Sequence, residues 1–350
     1  MQKTCILNNT PIRTSVSYKI NDITMKDLYL PEGAKEFKSY NLNYENLEVI
    51  EEKKEINKLI YGVGEVLEKS MSVCNNSSYI ISTSEEEGKF FLDYTFDDNN
   101  DELSNYIEIN ADKDIIATVI FRSNTEKACY HNFIIKNNIS NGAKVHVEIV
   151  NLLSEETNHF LSIENHIEED SKLELIIVDM GAKNSISNMY SNLVGKKSEV
   201  VTKSIYIGQN KTLKDMNYIV HLRGKKSVAD MDLQGVLTEQ SKKFLKFTID
   251  FKTGCTGAIG SENESCMLLS DEAVYRALPI LLCTEDDVEG AHSAAAGQVD
   301  KGQLFYIMSR GFDKKEATKM LVKAKYNEII EMLYSEELRK EILEQVDRRL

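Results

Sequence analysis

The chain has 350 residues, 42% of them apolar, with 42 Lys and Arg against 56 Asp and Glu and a formal net charge of -14. That is enough apolar chain for a large core. The acidity argues against a nucleic-acid partner and against an anionic membrane surface, both of which need clustered basic residues. The first ten residues, Met1–Thr10, hold no apolar leader, and runs such as Leu175-Ile-Ile-Val178 are far too short to span a bilayer. Six cysteines (Cys5, Cys74, Cys129, Cys255, Cys266, Cys283) have no paired spacing, as expected of reduced thiols in a cytoplasmic protein.

Residues 1 to about 45 read as an irregular lead-in around Pro11 and Pro31. From Leu47 to Lys69, apolar residues at 47, 50, 56, 59, 60, 63 and 67 recur at three- and four-residue spacing, which predicts a helix interrupted by Gly62 and Gly64. An acidic loop is expected at about 85–101. The lead-in and the predicted helix define an N-terminal region, 1–71, and the acidic loop falls beyond it.

The stretch 72–298 changes character. Short β-branched runs, Ile115–Phe121, Val145–Val150, Leu173–Val178 and Val200–Ile207, are separated by polar turns. The turns repeat: Gly142-Ala-Lys, Asp170-Ser-Lys, Gly195-Lys-Lys-Ser and Gly224-Lys-Lys-Ser place the first strand residue at 145, 173, 200 and 228. A period of this size, built from strands and turns, is the signature of a β-solenoid, with an antiparallel sandwich as the structural alternative.

The remainder, 299–350, is helical. Asp300-Lys-Gly-Gln303 and Asp313-Lys-Lys-Glu316 have capping-box form, Gly311 closes the first helix, and Ser335-Glu-Glu-Leu338 opens a last one. Apolar stripes fall at Leu304, Ile307 and Met308; at Ala317, Met320, Leu321 and Ala324; and at Leu338, Ile342, Leu343 and Val346. Each stripe needs a surface to pack on.

No phosphate-binding loop, nucleophile elbow, zinc-protease motif, Cys-x-x-Cys or dinucleotide fingerprint occurs. The six histidines share no metal-ligand spacing. The informative segment is 267–297. It reads as a strand, an acidic turn and a strand of small residues after His292, the last implying close packing against another backbone. Cys283, within Leu281-Leu282-Cys283, is expected in the core.

Across this segment and the next, the chain resembles the SufB/SufD family of the SUF iron–sulfur cluster assembly system. The resemblance is carried by Leu268-Leu269-Ser270 with Ala273, Pro279, Asp287-Val288, His292 and Gly297. It continues through Leu304-Phe-Tyr-Ile-Met-Ser-Arg-Gly311 and Glu316-Ala317.

The resemblance implies a right-handed parallel β-helix between helical ends, with no catalysis of its own. Such a subunit pairs through the end of the β-helix with a SufB-type partner or a second copy. It docks a SufC-type ABC ATPase through its C-terminal helices, and holds an iron–sulfur cluster only transiently, in the assembled complex. The family's SufB branch places a sulfur-accepting cysteine and a post-histidine glutamate where this chain has Glu264 and Ser293, which favours a SufD-type scaffold. By the same resemblance His292 is a candidate cluster or iron ligand at a subunit interface. Phe305, Tyr306, Arg310 and Gly311 are candidates for partner docking, and Cys266, two residues from Glu264, for sulfur handling. Two alternatives remain: a self-pairing SufB-like scaffold working with SufC alone, and an intracellular carbohydrate-active β-helix enzyme.

Overall fold

A computed structural model describes residues 2–14, 16–52, 56, 58–83 and 86–350. Two antiparallel strands, β1 (Gln2–Leu7) and β2 (Ile23–Tyr29), open the chain, followed by β3 (Tyr40–Glu45), β4 (Leu47–Glu51) and the helix α1 (Glu65–Cys74). Sixteen strands then alternate between two sheets. One sheet holds β6 (Gly88–Phe96), β8 (Ile115–Ser123), β10 (Lys144–Leu152), β12 (Lys172–Asp179), β14 (Glu199–Gly208), β16 (Val228–Leu237), β18 (Ala258–Leu268) and β20 (Val288–Gln298). The other holds β5 (Ser77–Thr83), β7 (Glu102–Ala111), β9 (Tyr130–Ile139), β11 (Asn158–Ile167), β13 (Asn184–Leu193), β15 (Leu213–Leu222), β17 (Lys242–Phe251) and β19 (Val274–Cys283). Each strand runs parallel to the one two places on, so the chain is a β-solenoid of about eight two-strand coils.

The repeat seen in the sequence is the rise from coil to coil. Val145 pairs with Leu173 and Leu173 with Val200, but Val200 pairs with Ala229, one residue past Val228. The glycine turns have a steric cause. A Cβ on Gly195 would lie 2.0 Å from the Glu169 nitrogen, and one on Gly224 would lie 1.7 Å from the Gly195 carbonyl oxygen. Successive turns stack backbone on backbone, and only hydrogen fits between them.

Alternate side chains fill the lumen with an apolar core that includes Leu92, Val119, Val147, Leu175, Met231, Phe247 and Ile249. The chain's two ends cover the outer faces. The N-terminal segment lies on the second sheet, where Leu7, Leu28, Val63 and Leu67 pack on Tyr130, Phe160 and Ile186. Asn8 fixes it there: its side-chain amide donates to the Asp215 carboxylate at 2.6 Å and the Ser187 carbonyl at 3.0 Å, and the buried Lys246 ammonium donates to the same carboxylate at 2.5 Å. On the first sheet lie α3 (Lys314–Glu331) and α4 (Glu336–Arg349), which bury Val322, Tyr326, Ile329, Leu338, Ile342 and Val346 against Val150, Val178 and Ile205.

Several expectations need correction. The lead-in contains β1, β2, β3 and a single 3-10 turn at Val16–Tyr18, and among the described residues α-helix begins only at Glu65. Leu47 and Val49 alternate along β4 and pack on the lumenal core, so the period there is two; the helix expected over 47–69 partly crosses residues 53–55 and 57, outside the described set. The acidic loop of 85–101 is interrupted by β6, leaving a turn at Asp97–Asp101, while Glu85 lies outside the described residues. On α3 the buried face runs through Ala317, Val322 and Tyr326, while Met320 is exposed.

Replacing Gly195 with Ala forces two stacked turns apart. Overpacking of this kind costs about 1–3 kcal/mol, so the variant is expected to unfold at lower denaturant concentration, with the same change at Gly224; an unaltered midpoint would contradict the stacking.

Candidate functional site

The two ends of the solenoid differ. At the N-terminal end β3 pairs antiparallel with β6, and β4 with β5, so both sheets stop against a strand of opposite direction. At the other end β19 and β20 pair only with β17 and β18 and present unpaired backbone edges. From Glu289 to Gln298 every residue of β20 is exposed, including the small residues Gly290, Ala291, Ala294, Ala295 and Ala296, while Ser293 donates to the Asn263 side-chain oxygen at 2.8 Å. The close backbone contact expected there is not made within this chain. Cys283 likewise is exposed at the end of β19 instead of buried.

His292 stands on β20 in register with Glu262 of β18, which in turn pairs with Met231. In-register neighbours in a parallel sheet share a face, and Met231 belongs to the lumenal core. His292 therefore sits at the mouth of the lumen with Glu262 one coil below. Glu262 is fully buried, and neither of its carboxylate oxygens has a hydrogen-bond partner. Burial raises its carboxyl to about 8, and the backbone amides of Ile280 and Ile249 act in the opposite direction.

Two residues along β18 the situation reverses. Glu264 is also buried but fully partnered: it pairs with the buried Lys243 ammonium and accepts from the hydroxyls of Tyr206 at 2.7 Å and Tyr275 at 2.8 Å. Lys243 also lies 4.6 Å from the Tyr275 ring centre. Cys266, next on the same side of β18, is buried beneath Ala296 of the last strand. Burial pushes its thiol up to about 11, the reverse of what a reactive thiolate requires. The structure thus aligns Glu262, Glu264 and Cys266 along one lumenal line, with His292 at its exposed end. Sequence reasoning found His292 and Cys266 but not Glu262, since one carboxylate among 56 acidic residues carries no signal.

The helix that follows β20 is α2 (Lys301–Met308), begun by Asp300, whose carboxylate accepts from the Gln303 amide at 2.7 Å. None of its residues is buried: Phe305 is 74% exposed and Tyr306 59%. Arg310 lies 5.1 Å from the Tyr306 ring centre and donates to its hydroxyl at 2.9 Å. Gly311, at φ 103°, takes the left-handed conformation that turns the chain toward α3. The structure thus brings Tyr306 and Arg310 together, while Phe305 and Phe312, 42% exposed, flank them in the chain with their side chains open to solvent. Among the described residues no group of three or more His, Cys, Asp or Glu side chains is placed to hold a metal, and no helix is long and apolar enough to cross a membrane.

The structure is that of a parallel β-solenoid closed at one end, open at the other and followed by an uncovered aromatic helix. Residues 94–325, about two-thirds of the chain, match the family described as SUF system FeS cluster assembly, SufBD core domain. The chain belongs to that family. It is 29% identical over 182 residues to the iron–sulfur cluster assembly protein SufD of Bacillus subtilis, covering 52% of this chain and 41% of that protein. It is 30% identical over 147 residues to an iron–sulfur cluster assembly SufBD family protein of Pyrococcus horikoshii, covering 42% and 32%. To SufD of Escherichia coli it is 32% identical over 91 residues, covering 26% and 22%. The matches span less than half of each of these relatives.

The raised carboxyl of Glu262 has a measurable consequence. Between the ordinary value of 4.5 and about 8 the folded chain keeps a proton that the unfolded chain has released. Stability therefore falls as pH rises through that window and levels off above it, by up to a few kcal/mol. Glu262→Gln, which cannot ionise, is expected to flatten this slope and to melt higher than the unmodified chain at about pH 8.5. Parallel slopes for the two proteins would show that Glu262 is not held neutral.

Proposed function

We propose that this chain is a non-catalytic, SufD-like scaffold subunit for iron–sulfur cluster assembly. It pairs through its open solenoid end with a SufB-type subunit and docks a SufC-type ATPase through α2 and the turn at Gly311. The iron–sulfur cluster is cargo, held only while the complex is assembled. The observation that carries this reading is the uncapped end: two unpaired strand edges, an exposed strand of small residues, and His292 at the lumen mouth. An added strand could satisfy that backbone edge, and small side chains let another backbone approach closely.

Several features favour a scaffold. The carboxylates along the lumenal line are buried, and the only cysteine there carries a raised thiol. Neither arrangement resembles a solvent-facing groove for an acidic polysaccharide. The aromatic–arginine patch has the composition that dominates protein interfaces.

The test is reconstitution with the cognate β-solenoid subunit and ABC-type ATPase. A stable complex containing all three is expected. A complex lacking the second solenoid subunit that still assembles cluster would instead support self-pairing, and failure to bind any such ATPase would remove the docking proposal. Phe305→Ala is expected to weaken ATPase binding by about 2 kcal/mol while leaving the melting temperature unchanged, because the side chain contributes nothing to the chain's own core. Equal affinity of Phe305→Ala and unmodified protein would place the dock elsewhere.

A further inference from the structure

One cleft of this acidic protein is lined mainly by cations. It opens on the flank of the solenoid, where the turns after β14, β16 and β18 meet the starts of α2 and α3 and the end of α4, and it encloses about 790 Å³. Lys301, Lys314, Lys315, Arg348 and Arg349 line it, against two acidic side chains, Glu239 and Asp271. Both acids are engaged: Glu239 accepts from the Asn210 backbone amide, and Asp271 accepts from the Gln298 side chain at 3.0 Å. Of the five cations only Arg348 has an ion-pair partner among the described residues, Glu344, one turn back on its own helix.

Arg349 is the most telling of the five. Its side chain is half-buried and makes no ion pair, and its Nε lies out of reach of water without a hydrogen-bond partner. Burial lowers the guanidinium from its ordinary value, with Glu155 and Asp179 acting in the opposite direction. Both of those carboxylates are already engaged, Glu155 by Asn210 at 2.7 Å and Asp179 by Lys214 at 2.8 Å. An arginine in the last turn of a helix complements the helix dipole, which accounts for the charge at this position. It does not account for a buried donor left without an acceptor.

We propose that this cleft binds a small phosphate-bearing anion, whose oxygens accept from Arg349 and from the lysines at the starts of α2 and α3. The guanidinium fork matches phosphate geometry, and the ammonium groups add point charges around it. The helix N-termini themselves contribute little, because Asp300 and Asp313 already cap them. The enclosed volume falls within the roughly 300–1,000 Å³ of small-molecule sites, which favours a compact ligand over an extended acidic segment of another protein. Leu268, Leu269, Val299 and Leu304 complete the wall, and a less polar surround strengthens charged contacts. The adjoining cleft beyond Asn210 carries Glu155, Glu156, Glu239 and Glu272 against Lys183 and Lys211, and would repel the same anion. Because α2 has no buried residue yet supplies Lys301 and Leu304, a bound anion ties this helix to the solenoid. Such a site is independent of the scaffold role.

The experiment uses the full chain alone at low ionic strength, titrated calorimetrically with inorganic pyrophosphate, and with citrate and sulfate as anions of other chemistry. One saturable site for pyrophosphate is expected, together with slower amide hydrogen exchange over residues 301–308. Arg349→Gln, and Lys314→Ala combined with Lys315→Ala, are each expected to weaken binding by about tenfold or more. Lys211→Ala, in the neighbouring cleft, is expected to bind as the unmodified chain does. Lys314 and Lys315 are exposed, so their replacement leaves the core intact, and the melting temperature of each variant separates lost binding from lost fold.

The proposal falls if no saturable site appears, if citrate or sulfate binds as tightly as pyrophosphate, or if both folded variants keep the unmodified affinity. It also falls if Lys211→Ala loses as much. A cleft that ignores pyrophosphate but takes up polyglutamate would belong to an acidic segment of a partner protein, which overturns the small-molecule site equally.

Discussion

In this fold each coil satisfies its backbone and buries its inner side chains only against the coil above and the coil below. No layer closes on itself, so the stack must end somewhere, and each end exposes both strand edges and a slice of the core. The antiparallel β3 and β4 close one end, and Leu42, Leu47 and Val49 cover the core there. Among the described residues nothing does the same at β19 and β20. The termini cover the outer faces, the N-terminal segment on one sheet and α3 with α4 on the other. With flanks and first coil occupied, the last coil is left as the broad uncovered surface, and α2 projects beside it.

Polar groups inside the lumen determine which residues may stack. Asp179 accepts from Asn151 at 2.9 Å, from Ser185 at 2.9 Å and from the buried Lys214 ammonium at 2.8 Å. His131 and His159, in register on β9 and β11, meet through their Nδ1 atoms at 2.8 Å, and burial lowers His159 to about 4, so it is neutral near pH 7. Lys243 and Glu264 repeat the ion pair nearer the open end. A one-residue slip of any strand would turn its lumenal residues outward and leave Asp179 or Glu264 buried without its cation. The same slip would turn the apolar lumenal residues outward, so burial and these pairs select the register together. Unlike Asp179 and Glu264, Glu262 has neither carboxylate oxygen hydrogen-bonded.

The same polar groups decide how much of the fold is legible in the sequence. The first sheet reads directly, because Ile115–Phe121, Val145–Val150, Leu173–Val178 and Val200–Ile207 are apolar runs, and its strands β8, β10, β12 and β14 coincide with them. The second sheet hides. Its outward positions carry Asn132, Asn188, Asp215 and Lys246, which are buried under the N-terminal segment and α1. Its lumenal positions carry His131, His159, Lys214 and Lys243. Neither face alternates apolar with polar, so the usual strand signal vanishes. The small residues after His292 lead the sequence to suggest a close backbone contact, but the described residues of this chain do not make it, and sequence periodicity cannot distinguish an internal contact from an external one.

An open strand edge is also a hazard, since it can template pairing with any extended chain. The edge here is restricted in what it accepts. Pro279 removes one backbone donor from β19, and Glu285, Asp287 and Glu289 set negative charge at the entry to β20. Burying those carboxylates against an apolar or acidic strand would leave them unpaired, which costs more than the added backbone hydrogen bonds return. A strand that brings cationic groups avoids that cost. Selectivity at this end therefore follows from charge at the margin, with little contributed by the small side chains of β20.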